Sequence, residues 1–423
     1  MRVDHRLLVV LALCMAGTAA RAHGEDRLPG GPGWRVEAAA ALVASDADGR
    51  WPADDPRGVF VTGTRVPDRE GDLRLEHGLL ALGWRFGPAL LEGLLPAGVD
   101  NDGLSLRLVA GWHDRDDAHV EAAGLVLPLA LDDSHLTLVL GREAVPMGAV
   151  IDRAGHLDLY GQPTLAQHAT VDDAWIDDGL RLRWDSDARR GLRTLQFGFW
   201  RARAFPGGPA GPAAPSVQAQ AGWDDWALDL FAARLEPEAR GAAARSLGAT
   251  GHVHGSLDCR RSLQQRVCFD GRSSLAAASL AWQPAGRPWQ AAAAWMWRRE
   301  AGALYSREAE VAWDGRTQGG WLDLRWTPRP GWTLGWRGER LVPRHTLTGA
   351  GVATIADDAG LADAAPTTRH TLALGWTLRP GWQLTLETGR QRTAAAGASA
   401  AMTTDHVALR LVVDGMAWEG DRP

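Results

Sequence analysis

The chain has 423 residues, a net charge of -6 and 23% charged residues. That acidic balance argues against a nucleic-acid binder, which is normally basic. All 45 basic residues are Arg, so any cationic surface is a guanidinium surface, suited to bidentate contact with carboxylate or phosphate.

In chain order, residues 1–22 read as a secretory signal peptide. Arg2 and Arg6 form a positive start, residues 7–16 an apolar run, and Ala20-Arg21-Ala22 a small-x-small cleavage site. The run is too short for a bilayer, which needs about 20 residues. The expected mature chain, residues 23–423, contains no longer apolar run and is read as a single domain. An exported chain of this kind is either soluble or a β-barrel, whose alternating strands hide the membrane signal.

Period-two alternation then recurs along the chain. Leu104, Leu106 and Leu108 alternate with Ser105 and Arg107. The same pattern runs through Leu136–Leu138–Leu140, Leu180–Leu182–Trp184, Leu322–Leu324–Trp326 and Val407–Leu409–Leu411–Val413. The fold class expected is all-β: a transmembrane antiparallel β-barrel of about 16 strands, with 18 the next even number. Near-copies of Arg-Pro-Gly flanked by Trp, at 326–332 and 376–382, read as tight turns, because Pro presets φ and Gly accepts φ > 0. Longer connections are expected at 143–178, 236–273 and 342–367. Short turns at one end and long loops at the other, with many of the 21 Trp near strand ends, fit an outer-membrane plan. A Trp-rich soluble β-sandwich, with the apolar face turned in, carries the same alternation.

If Leu and Trp face lipid, their neighbours face a lumen. That reading makes Arg107, Arg181, Arg183, Asp229, Asp323, Arg325, Arg337, Glu339, Glu387 and Arg410 candidate pore-lining residues. Both charge signs occur with Arg slightly ahead, which allows a mild anion preference. The same residues could equally pair across strands and only line the wall.

Cys14 leaves with the signal peptide. Cys259 and Cys268 remain in an oxidising compartment and are expected to form a disulfide exposed on a loop. His252-x-His254, and the set His156, Asp158, His168, Asp172 and Asp173, could capture a metal, although loop histidines are usually only solvated. No metal site and no cofactor are expected. Gly-x-Ser-x-Gly, His-Glu-x-x-His and phosphate-binding glycine loops are all missing from the sequence, so no enzyme is expected.

The stretch Gly141-Arg142-Glu143-Ala144-Val145-Pro146-Met147-Gly148, followed later by Asp178-Gly179, resembles the phosphate-selective porins of Gram-negative bacteria. The matching positions are Gly141, Arg142, Pro146 and Gly148, with Asp178 and Gly179 matching more loosely, over about fifty residues. The resemblance implies a water-filled barrel with a loop, here residues 143–178, folded into the pore. It also places Arg142 at the constriction, as a further pore-lining residue. The anion ladder of that family uses lysines, of which this chain has none.

The function expected is a porin-like outer-membrane channel for passive diffusion of small hydrophilic solutes. The competing class is a surface or binding barrel with a closed lumen, and an enzyme is third. Expected partners are outer-membrane lipid, the solutes and the barrel-assembly machinery, with a homo-oligomer allowed and no nucleic acid.

Overall fold

A computed structural model describes residues 28–48, 73–93, 95, 100–113, 118–131, 133–155, 157–188, 190–243, 257–264 and 266–421. The signal-peptide segment 1–22 lies outside them, as do His156, His252 and His254. The alternating segments form sixteen barrel strands. The first half comprises β1 (Gly33–Asp48), β2 (Arg74–Arg85), β3 (Ser105–His113), β4 (His119–Leu131), β5 (Ser134–Ala144), β6 (Ile176–Ser186), β7 (Gly191–Trp200) and β8 (Ala214–Trp223). The second half comprises β9 (Trp226–Leu235), β10 (Arg266–Trp282), β11 (Trp289–Tyr305), β12 (Glu310–Arg329), β13 (Trp332–Thr348), β14 (Thr367–Arg379), β15 (Trp382–Thr393) and β16 (Met402–Asp421). Short strand pieces at Asp100–Asn101, Arg240–Ala243 and Leu257–Asp258 lie outside this ring.

Each strand pairs antiparallel with its chain neighbour, and β16 pairs back onto β1 from Gly33↔Asp421 to Asp48↔Asp405. Closure leaves no sheet edge, the condition for strands to cross lipid with every backbone group satisfied. Leu80, Leu106, Leu140, Phe199, Leu230, Leu322, Leu372 and Leu409 all face outward and exposed. Charged and small residues of opposite parity face in. The outward apolar band rules out the sandwich reading, in which these leucines would form the core.

At one end the strands join through short connections, such as 224–225, 283–288, 330–331 and 380–381. Trp residues flank them and pair across strands, stacked for Trp289–Trp326 and Trp332–Trp376 at 5.4 and 5.5 Å. This is an aromatic girdle at a membrane interface. Long connections cluster at the other end. Within the connection after β13, helix Val352–Asp358 packs Ile355 against Phe269, Val311 and Trp313.

Candidate functional site

The connection between β5 and β6 turns inward. Near the loop end of β5, Gly141 has φ 141°, and a Cβ there would stand 2.2 Å from the Ala123 carbonyl oxygen. At Gly148, φ 122°, a Cβ would stand 2.5 Å from the Asp229 side chain on the barrel wall. Both glycines of the family-like stretch are therefore required, one for a close strand approach and one for seating the loop on the wall.

Helix α1 (Ala149–Arg153) follows, its entry closed by Met147 and Gly148 N–H groups donating to the Asp152 carboxylate at 3.0 and 3.1 Å. Helix α2 (Leu165–Val171) starts on a capping box between Thr164 and Gln167. Val150, Ile151, Ala166 and Val171 pack on inward-facing Phe231, Leu275, Ala294, Met296 and Trp321. One side of the lumen is thus apolar and carries the loop helices.

The other side binds the loop through charge. Arg325 grips Asp158 with two hydrogen bonds of 2.9 and 2.7 Å, and Arg337 adds a third at 3.2 Å. Burial alone would raise the Asp158 carboxyl. The two guanidinium groups outweigh burial and hold it well below the usual carboxylate range. Tyr160 donates its hydroxyl to Asp323 at 3.1 Å and lies under the Arg337 guanidinium at 4.0 Å. Gly161 N–H donates to Glu387 and Leu165 N–H to Glu339, each at 2.8 Å. Arg410 donates to the Asp158 carbonyl, Arg369 to the Pro163 carbonyl, and Arg298 to the Thr170 carbonyl. Strands β11 to β16 each supply one or more side chains to this seam. Their own partners complete it: Arg369 with Glu339, His406 with Glu387, and Arg410 with Glu76 across the closure of the barrel.

Of the residues expected to line a pore, Arg107, Arg181, Arg183, Asp229, Asp323, Arg325, Arg337, Glu339, Glu387 and Arg410 all face inward, opposite in parity to the exposed leucines. Arg325 is partly buried and clamped on Asp158, and the other nine divide into two groups. Arg181, Asp229, Asp323, Arg337, Glu339, Glu387 and Arg410 are buried. Arg181, for instance, is held bidentately by Glu143 at 2.8 and 3.0 Å. Arg107 and Arg183 remain half-buried, and so do Arg35 and Arg85 nearer the short-turn end. On the loop side Asp152 is exposed and Arg153 half-buried. Asp185 and Glu419, on the same inward face, also keep contact with water, so both signs of charge line the interior.

Arg142 is a correction. Leu138 and Leu140 point to lipid, and Arg142 shares their parity. Its guanidinium meets Asp178, its outward-facing register partner, at 3.5 Å and donates to the Val120 carbonyl. It stands on the outer surface at the rim and not at a constriction. The disulfide Cys259–Cys268 is present, but it is buried beside Ala239, Leu263 and Tyr305 and not exposed as expected. Among the described residues no group of three or more His, Cys, Asp or Glu is arranged to hold a metal. Asp158, which the sequence suggested as a metal candidate, is an ion-pair anchor, and His168 sits against Asp172 and Asp173 at 3.6 and 3.1 Å. The sequence did not single out Glu76, Glu143, Arg298 or Arg369. Their inward parity was readable, but their partners lie on distant strands or on the loop.

No family model and no curated protein matches this chain. Solved structures do match in shape. The outer membrane channel DcaP of Acinetobacter baumannii superposes with a TM-score of 0.56 at 9% identity, over 94% of this chain and all of that one. The trimer form of OmpT, an outer membrane protein of Vibrio cholerae, gives 0.52 at 10% identity, over 91% of this chain and 100% of that one. OmpF of Salmonella typhi, in complex with daunomycin, gives 0.52 at 9% identity, over 90% and 97%. At such identities the likeness is one of fold, and the fold is that of the porin-like outer-membrane β-barrels.

Proposed function

We propose that this chain is a passive diffusion channel for small hydrophilic solutes, narrowed by the inserted loop and mildly selective for anions. The observation that carries this reading is a loop fixed across a closed barrel while arginines remain water-facing beside it. Arg35, Arg85, Arg107, Arg153 and Arg183 are half-buried inside the barrel. Glu37 balances Arg35 and Asp185 balances Arg183. Arg85 bonds to neutral groups, the Ser105 hydroxyl and the Gly30 carbonyl. Glu419 adds a second acidic contact to Arg35, and the balance of such charges along a water-filled path sets its ion preference. Assembly as a homo-oligomer belongs to the same reading.

A closed binding barrel is the second reading. It draws support from the burial of Arg181, Arg240, Arg298, Arg337 and Arg410 inside the barrel. Reconstitution of the purified mature protein in a planar bilayer separates the two. A channel gives discrete conductance steps and, under a salt gradient, a reversal potential of anionic sign. A barrel that inserts and stays silent overturns the channel reading and favours the closed one.

A further inference from the structure

On the outer surface of β11–β15, the registers place arginines side by side. Arg299 is the direct partner of Arg316, and Arg316 of Arg344. Two residues down the barrel's outer face of β13 from Val342, Arg340 pairs with Thr368, and Thr368 with Arg392. Arg299 is matched by Asp314 at 3.0 Å, and Arg390 by Asp405. Arg316, Arg340, Arg344 and Arg392 are exposed; Arg392 shares the field of Asp405 with Arg390, whereas no carboxylate among the described residues is paired with the other three. Like charges directly opposite on a sheet destabilise it, so such a cluster is favourable only with an anion between its members.

The row below supplies a complementary feature. A groove of about 600 Å³ opens on the lipid-facing surface, lined by Trp295, Gly320, Leu322, Trp336 and Gly338, with Arg340 on the long-loop side. The glycines are what make it. A Cβ at Gly320 would stand 2.6 Å from the Trp295 ring, and one at Gly338 2.7 Å from the Trp336 ring. With no side chain there, the Trp295 ring sits over Gly320 and the Trp336 ring over Gly338. The groove lies within the apolar band and the arginines lie at its upper edge, on the long-loop side. Depth and charge therefore match one kind of molecule, an amphiphile with an acyl chain below and a phosphate above. Guanidinium groups suit phosphate through bidentate contact.

We propose that this face binds a phosphate-bearing lipid of the outer leaflet, its headgroup held by Arg316, Arg340, Arg344 and Arg392 and one acyl chain in the Trp295–Trp336 groove. The site is independent of conduction through the lumen.

The test is native mass spectrometry of the intact barrel in detergent, with phosphatidic acid, with phosphatidylcholine and with inorganic phosphate. Expected is a phosphatidic acid adduct that survives activation under which phosphatidylcholine is lost. Its apparent affinity falls about tenfold in Arg344→Gln, the loss of one charge-assisted contact. The control Arg234→Gln removes an exposed arginine that Glu236 already neutralises, and it should retain the lipid. Retained heat-modifiability of each variant verifies the fold. Three outcomes overturn the proposal: equal retention of the two lipids, retention unchanged in Arg344→Gln, and binding of inorganic phosphate with no lipid adduct. A variant that loses its oligomer while lipid binding is unaltered assigns the face to a second copy of the chain instead.

Discussion

The single residue that best tests the functional reading is Arg107, because it faces inward and keeps contact with water. Reversing its charge in Arg107→Glu should move the reversal potential towards cations by a measurable fraction of the parent value. Arg142→Glu should leave selectivity unchanged, since that side chain stands on the outer surface beside Asp178. Equal shifts from both variants would remove the distinction drawn between the two faces. The face of Arg142 was legible all along: Leu136, Leu138 and Leu140 set the parity, and two more residues carry it to position 142. Family likeness pointed the other way, and the alternation was the better guide because a pleated strand cannot turn one side chain across the sheet. Asp158 is the opposite case. Its partner Arg325 is 167 residues away, and no local pattern announces such a pair. Asp158→Asn removes the charge shared by Arg325 and Arg337, which for a buried pair costs about 3–5 kcal/mol. The heat-modification temperature should fall, and channel noise should rise as the loop loosens. The pH dependence follows from the direction of the Asp158 shift. A carboxylate depressed in the fold contributes its full stability above the ordinary value of about 3.9 and loses it only as pH falls through the lower, native value. The loop should therefore stay anchored at pH 4–5, and loosening within that range would contradict the clamp.

Among elements, strands and turns were the legible part. Two Arg-Pro-Gly sequences between Trp pairs became the turns at Arg329↔Trp332 and Arg379↔Trp382, because Pro and Gly fix turn geometry locally. The inserted loop was legible only by its length. That it contains two short helices, and that one flank is apolar and the other ionic, depends on which wall residues meet it. The disulfide was legible as a bond but not in its depth. Cys259 and Cys268 enclose a short segment, so the entropy model gives the bond about 2–3 kcal/mol. Burial beside Tyr305 adds a kinetic consequence. Thiol labelling should show slow reduction of the native barrel and fast reduction once it is heat-denatured, and the reduced barrel should conduct like the oxidised one. Fast reduction of the native form would place the bond at the surface.

For the whole molecule, the question is what the loop does to a barrel that does not need it for closure. All sixteen wall strands are joined to one another by backbone ladders, β16 onto β1 included, and none of those ladders runs through the loop. Removing residues 149–171 would expose Arg325, Arg337, Arg369 and Arg410 on the inner wall. In lipid that would be prohibitive, but inside a barrel water can enter and solvate them. Glu339 would still pair with Arg369, Asp323 with Arg325, and Glu76 with Arg410. The apolar flank around Phe231, Leu275 and Met296 would lose its cover, an exposure that costs roughly 25 cal/mol per Å². The deleted protein should thus remain a heat-modifiable barrel with a lower transition temperature. Its single-channel conductance should rise, because the obstruction is gone while the wall is intact. The four arginines bared on the inner wall come with Asp323, Glu339, Glu387 and Glu76, so the added wall charge is balanced and the anion preference should weaken as the channel widens. A wider channel with stronger anion selectivity would mean that the wall arginines, and not the loop, carry the selecting charge.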